Sequence, residues 1–80
     1  MLKADGYDEA LMGVVQRFGQ KGVILYDTDK ILEILVARGM TCDEAHEFFE
    51  FNILGSWVGE ETPAFFSRTS LQDLEEEDLI

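Results

Sequence analysis

The chain has 80 residues, one cysteine and a formal net charge of −11 at pH 7. This length allows a single domain with a small core, and one cysteine excludes an internal disulfide. The acidic balance disfavours direct binding to nucleic acid, because phosphates would be repelled.

The sequence shows no targeting or membrane segment. No apolar run exceeds five residues, whereas a membrane-spanning helix needs about 18. The first residues, MLKADGYDE, lack the apolar core of a signal peptide. We therefore expect a soluble protein that begins at Met1 and makes no contact with membranes.

Apolar residues in the first part of the chain recur at helical spacing. They are Tyr7, Leu11, Val14, Val15 and Phe18. Acidic residues precede this stretch, and Gly19 follows it at the position where a helix commonly stops. The pattern predicts a first helix from about residue 7 to 18, in which Gly13 costs about 1 kcal/mol relative to Ala.

A short β-prone run, VILY, follows the GQKG loop and predicts a buried strand over residues 23–26. Asp27 or Thr28 then caps a second helix, which ends at Gly39. Its apolar stripe consists of Ile31, Leu32, Ile34, Leu35 and Val36. Met40 is placed to fold back on Leu35, as happens at this kind of helix end.

Thr41 and Glu44 form a capping box, in which each side chain satisfies the other residue's backbone N–H. It predicts a third helix from about residue 42 to 53, which Gly55 ends. Ala64–Phe66 predicts a second strand, and two lone strands are stable only if they pair. We therefore predict one α+β domain over residues 1–68, with three helices and a small two-stranded sheet in the order α-β-α-α-β.

The last part of the chain, residues 69–80, is predicted to be an acidic, disordered C-terminal tail. Its acids are Asp73, Glu75, Glu76, Glu77 and Asp78, with no base among them. The other 68 residues hold twelve acidic and six basic side chains and so carry −6. Leucines at three positions of the tail leave open a helix that forms on binding.

Two groups of residues have spacings that suggest chemistry, but the structural interpretation is favoured for both. Cys42 and His46 lie four residues apart, with Glu50 four further on, as metal ligands or a catalytic pair on one helix face would. Asp27 and Asp29 match the first two positions of a calcium loop, but the later positions fail, so helix capping explains them. We therefore predict no metal site and no cofactor.

The loop before the second strand carries the candidate binding residues Trp57, Glu60 and Glu61. Trp is enriched at the energetic centres of protein interfaces, although in a small domain it equally covers the edge of a core. The paired carboxylates favour a solvated loop over acid–base chemistry. Asn52 is predicted to bind the loop backbone, because a buried amide needs hydrogen-bond partners.

Several short motifs lie between residues 5 and 66. They are DGYDEA at 5–10, GQ at 19–20, LYD at 25–27, GM at 39–40, DEA at 43–45, EFF at 47–49, FN at 51–52, GSWVGE at 55–60 and TP at 62–63. With them the chain resembles a family of small bacteriophage and prophage proteins that carries the pattern FNxxGxWVGExTP and has no established activity. Gly22 departs from the family, in which Pro is frequent there, and the tail lies outside the likeness. The resemblance implies a phage origin and the host cytoplasm as the location.

The sequence leaves three functional hypotheses open. The first is a non-enzymatic accessory protein that binds another protein, such as a basic host protein that normally binds nucleic acid. The second is a structural homodimer or a virion-associated component. The third, and the least favoured, is a small metal-dependent enzyme that uses Cys42, His46, Glu50 or Glu60.

Overall fold

The structure is a computed structural model that describes residues 1–74. It has the predicted α+β architecture, in which helices pack on one face of a mixed three-stranded sheet. The strands are β1 (Leu11–Val15), β2 (Val23–Asp27) and β3 (Ala64–Phe66), and the α-helices are α1 (Thr28–Ala37), α2 (Cys42–Phe48) and α3 (Leu71–Leu74). A 3-10 turn, Asp8–Ala10, precedes β1, and a π-helix, Phe49–Leu54, continues α2. Among residues 1–74 no helix is long and apolar enough to cross a membrane.

The predicted first helix is wrong, because residues 11–15 form a strand. β1 pairs antiparallel with β2, so that Val14 lies opposite Ile24 and Val15 opposite Val23. These β-branched pairs stabilise a sheet better than a helix, and the hairpin satisfies the backbone of both strands. The register shifts between Leu11 and Gly13, and Gly13 has a φ of +148°, a conformation that favours glycine.

The two predicted strands are confirmed, and they pair with each other in parallel. Tyr26 lies opposite Phe65 and Asp27 opposite Phe66. Because β1 adds a third strand on the other side of β2, the prediction of a two-stranded sheet is wrong, and so is the order α-β-α-α-β. The main elements instead follow as β-β-α-α-β, with β2 at the centre of the sheet.

Helix α1 begins and ends where local chemistry predicts. The Asp27 carboxylate accepts a hydrogen bond from the backbone N–H of Asp29 at 3.0 Å. At the other end Gly39 has a φ of +109°, and the Met40 N–H donates to the Leu35 carbonyl at 3.3 Å. This folds the chain back and brings Met40 against the core.

Helix α2 has the predicted capping box but does not continue as an α-helix. The Thr41 N–H donates to the Glu44 carboxylate at 2.9 Å, and the Glu44 N–H donates to the Thr41 hydroxyl at 3.2 Å. After Phe48 the chain becomes a π-helix, whose last bond runs from the Gly55 N–H to the Glu50 carbonyl at 3.0 Å. A Cβ on residue 55 would lie 2.9 Å from that carbonyl oxygen, so the turn requires glycine.

The core lies between the sheet and the helices and is rich in aromatic side chains. Phe65 stacks on Tyr26 with 6.1 Å between ring centroids and meets the edge of Phe49 at 5.4 Å. Each such pair contributes about 0.5–1.5 kcal/mol beyond the buried area. The buried apolar residues are Tyr7, Ala10, Tyr26, Ile31, Leu35, Ala45 and Phe49.

Part of the segment predicted as a tail is helical. Leu71–Leu74 form the short helix α3, and the Asp73 N–H donates to the Ser70 hydroxyl at 3.2 Å. The prediction of disorder for residues 75–80 lies outside the described residues.

Candidate functional site

A broad concave surface lies at one end of the sheet, on the face opposite the core. β1 runs antiparallel to β2, and β3 runs parallel to it, so the end of β1 meets the starts of β2 and β3. Side chains alternate along a strand, so Val15, Val23 and Ala64 lie on the face opposite Tyr26 and Phe65. They form the apolar floor of a groove of about 750 Å³, named here the Trp57 groove. It is lined by Val15, Arg17, Gly19, Gln20, Lys21, Val23, Trp57, Glu60, Thr62 and Ala64.

One wall of the groove is the loop that carries Trp57 and Glu60, and Thr62 holds this loop. The Thr62 hydroxyl accepts a hydrogen bond from the Val58 N–H at 2.9 Å and donates to the Gly59 carbonyl at 2.6 Å. Gly59 has a φ of +113°, which lets the turn close. The predicted role of Asn52 in holding this loop is wrong: Asn52 is exposed, and its side chain makes no hydrogen bond within residues 1–74.

The other wall is the β1–β2 hairpin, which contributes Arg17 and Lys21. Within residues 1–74 the ion pairs join the Met1 amine to Glu61, Lys3 to Asp8, and Lys30 to Glu33. Arg17 and Lys21 take part in none of these pairs, and the groove contains one carboxylate, Glu60. A protein of net charge −11 therefore has a groove whose ionic side chains are mainly positive.

The structure separates the three predicted binding residues. Trp57 is 75% exposed and lines the groove together with Glu60. Glu61 instead pairs with the N-terminal amine at 3.2 Å and lies outside the groove lining. The cations Arg17 and Lys21 were missed because their segment was assigned to a helix and a loop. Reading LMGVV and VILYD as a hairpin around the GQKG turn would have placed them at the end of the sheet.

A second surface lies on α2 and the π-helix. No Lys or Arg occurs between residues 39 and 67, whereas α2 and the π-helix carry four exposed carboxylates. We call this region the α2 acidic surface and define it by Met40, Asp43, Glu44, Glu47, Phe48, Glu50, Phe51 and Asn52. Six of these residues, all except Asp43 and Glu50, line a shallow groove of about 460 Å³.

The π-helix determines which aromatic side chains of this surface are available. Phe49 is buried and Ile53 packs against the core, whereas Phe51 is 75% exposed. Phe48 is half-buried beside Phe51 in the same shallow groove. Hydrogen bonds from the Thr41 backbone N–H and hydroxyl lower the pKa of Glu44, which keeps this carboxylate charged.

The residues with metal-like or catalytic spacing engage the backbone instead. His46 donates from Nδ1 to the Cys42 carbonyl at 2.8 Å, an i to i+4 contact within α2. Within residues 1–74 no three His, Cys, Asp or Glu side chains are grouped as metal ligands would be. Asp27 caps α1, which accounts for its position at the end of β2.

Comparison of the chain with protein-family models, curated proteins and solved structures finds no match. The resemblance to the phage family therefore stays a prediction.

Proposed function

We propose that the protein is a small phage-type accessory factor that acts in the host cytoplasm by binding a basic protein, without catalysis. The observation that carries this proposal is the α2 acidic surface, where exposed aromatic and acidic side chains lie together and no Lys or Arg occurs between residues 39 and 67. The proposal has an apolar and an electrostatic part, which separate variants can test.

The apolar part is Phe51, supported by Met40 and Phe48 in the same shallow groove. Phe51 is exposed beside two apolar neighbours, and large aromatic side chains that fill a partner's pocket dominate interface energetics. Truncating such a residue costs about 2 kcal/mol or more of binding free energy. Phe51 is therefore the residue we expect to enter a pocket of the partner.

The electrostatic part is the row of carboxylates. Asp43, Glu44, Glu47 and Glu50 fall within a helical length of about 10 Å, roughly one charge per 2.6 Å. DNA carries about one charge per 3.4 Å along one strand and about one per 1.7 Å along the duplex. The spacing is thus comparable with that of nucleic acid, which supports a partner whose basic surface normally binds phosphates.

The test is an affinity capture from host lysate with four tagged proteins. We expect the wild type to retain a basic protein that Phe51→Ala and the double variant Glu47→Lys/Glu50→Lys both lose. Phe18→Ala is the matched aromatic control, because Phe18 is fully exposed on the β1–β2 hairpin, away from this surface. DNA added to the captured complex should compete with the protein for its partner.

Two results would contradict the proposal. If the wild type and both α2 variants captured the partner equally, the α2 acidic surface would take no part in binding. If only Phe18→Ala failed to capture the partner, the interface would lie on the hairpin.

A homodimer or virion-associated component is the second candidate, and β1 is the observation that favours it. β1 is an edge strand without charged residues, and Leu11, Met12 and Val14 on it are exposed. Unprotected edge strands pair readily with another chain.

A further inference from the structure

The Trp57 groove combines an aromatic ring, a carboxylate and two cations around an apolar floor. One wall carries Glu60 and the exposed indole of Trp57, and the other wall carries Arg17 and Lys21. Its volume of about 750 Å³ falls within the range of about 300–1,000 Å³ that is typical of small-molecule sites. The α2 acidic surface shares no residue with this groove, so a ligand here is independent of the proposed function.

We propose that the Trp57 groove binds a guanine nucleotide, with the base on Trp57 and the phosphates at Arg17 and Lys21. An exposed indole is a stacking surface for a nucleotide base. Neither cation forms an ion pair within residues 1–74, so both are available to a diphosphate group. The apolar floor between the two walls accommodates the carbon atoms of the ribose.

Glu60 selects guanine over adenine. Guanine has two adjacent N–H donors on the edge that pairs with cytosine, and one carboxylate accepts both together. Adenine has an amine beside an unprotonated ring nitrogen, which repels a carboxylate. Glu60 and Trp57 lie on the same wall, so the carboxylate is on the side of the groove where the base stacks. An acidic peptide would instead be repelled by Glu60, which makes the nucleotide the better match to the whole groove.

The loop wall is held in place without a ligand. The Thr62 hydroxyl bonds to the Val58 N–H and the Gly59 carbonyl, which fixes the turn between Trp57 and Glu60. A wall that is already ordered reduces the entropy lost on binding. A mononucleotide also suits a net charge of −11 better than a nucleic acid does, because a longer polyanion would extend over the acidic surface outside the groove.

The experiment uses Trp57 as the reporter, because it is the only tryptophan and gives a single indole N–H resonance in ¹⁵N-labelled protein. We expect titration with GDP to move this resonance upfield, since a stacked base shields the indole protons. ADP should bind about tenfold more weakly, because it lacks the paired donors that Glu60 accepts. Raising the salt concentration to about 0.5 M should weaken the binding of GDP.

Variants in the groove separate the three contacts, with Kd for GDP measured by equilibrium dialysis. Trp57→Ala should raise Kd about tenfold, whereas Trp57→Phe should retain most of the affinity. Arg17→Gln/Lys21→Gln should also raise Kd by about tenfold or more. Glu60→Gln should abolish the preference for GDP over ADP. Circular dichroism verifies that each variant is folded.

Two matched controls lie outside the groove. Lys30→Gln/Arg68→Gln removes the same positive charge from other exposed positions. Phe51→Ala removes a ring that is 75% exposed, as Trp57 is, from the α2 acidic surface. Both controls should leave Kd for GDP unchanged.

Four outcomes would overturn the proposal. An indole resonance that does not move at up to about 5 mM GDP would show that the groove does not take the nucleotide. A shift as large with pyrophosphate as with GDP would reduce the groove to an anion site. Tighter binding of a guanine-containing hexaribonucleotide than of GDP would assign the groove to single-stranded RNA, and tighter binding of a Glu-rich peptide would assign it to an acidic protein segment.

Discussion

Tyr26 connects three parts of the molecule through one side chain. It is fully buried on β2, its ring stacks on Phe65 of β3, and its hydroxyl accepts a hydrogen bond from the Ala4 N–H at 2.8 Å. The N-terminal segment is thereby attached to the central strand, and Ala4 packs against the core.

Removing this hydroxyl should loosen the N-terminal segment while leaving the core packed. We expect Tyr26→Phe to lower the free energy of unfolding by about 1 kcal/mol, because the half-buried Ala4 N–H loses its partner. Urea denaturation measures the loss, and hydrogen exchange at Ala4 should accelerate. Tyr7→Phe is the control, since the Tyr7 hydroxyl makes no hydrogen bond within residues 1–74. Equal losses in both variants would show that the Ala4 bond contributes nothing specific.

Single residues were predicted well where their role is local. Asp27, Gly39 and Thr41 act within a few positions of themselves, so caps and stops follow from their own chemistry. The prediction that Asn52 binds the loop backbone was wrong because it assumed that Asn52 is buried. The π-helix changed that, since a wider turn moves each later side chain around the helix axis.

At the scale of elements, the stability of helix α2 depends more on its capping box than on its length. It has seven residues, too few to be stable alone, and the box satisfies backbone donors at its first turn. Thr41→Ala should therefore lower the free energy of unfolding by about 1 kcal/mol.

The capping box should also make the stability of α2 depend on pH. The folded pKa of Glu44 is lowered by hydrogen bonds from Thr41, so its contribution is complete above the unfolded pKa and is lost as pH falls through the folded pKa. We expect the stability difference between wild type and Glu44→Gln to shrink from pH 7 to about pH 3 in urea titrations. Glu47→Gln is the control on the same helix. A difference that stays constant over this range would refute the linkage.

Four parts of the fold could be predicted because the residues that indicate each of them are contiguous in the sequence. They are β2, α1, β3 and the start of α2. β1 could not, because LMGVV fits a helical stripe as well as a strand and only its pairing with β2 decides. For the same reason, only one wall of the Trp57 groove could be predicted from the sequence. Trp57 and Glu60 stand out in the sequence, whereas Arg17 and Lys21 reach them only through the hairpin.

At the scale of the whole molecule, charge is distributed unevenly over two surfaces. The sequence from residue 39 to 67, which includes most of the α2 acidic surface, contains no Lys or Arg. The Trp57 groove carries two cations without ion pairs among residues 1–74. Association of two copies is opposed by charge repulsion, because each copy carries a net charge of −11.

We therefore expect a monomer in sedimentation velocity experiments at micromolar concentration. Met12→Lys, which places a charge on exposed β1, should leave the sedimentation coefficient unchanged. A wild-type dimer that Met12→Lys dissociates would instead favour the structural alternative.

The parallel pairing of β2 with β3 also has a consequence for how the chain folds. The partners Leu25 and Ala64 lie about 40 positions apart in the sequence. The hairpin and α1 involve near neighbours and can form early, whereas β3 must wait for both helices to close the loop. During synthesis one side of the central strand stays unpaired, and Tyr26 lacks Phe65, until the ribosome has released nearly the whole domain. The last strand to be made is thus the one that completes the core.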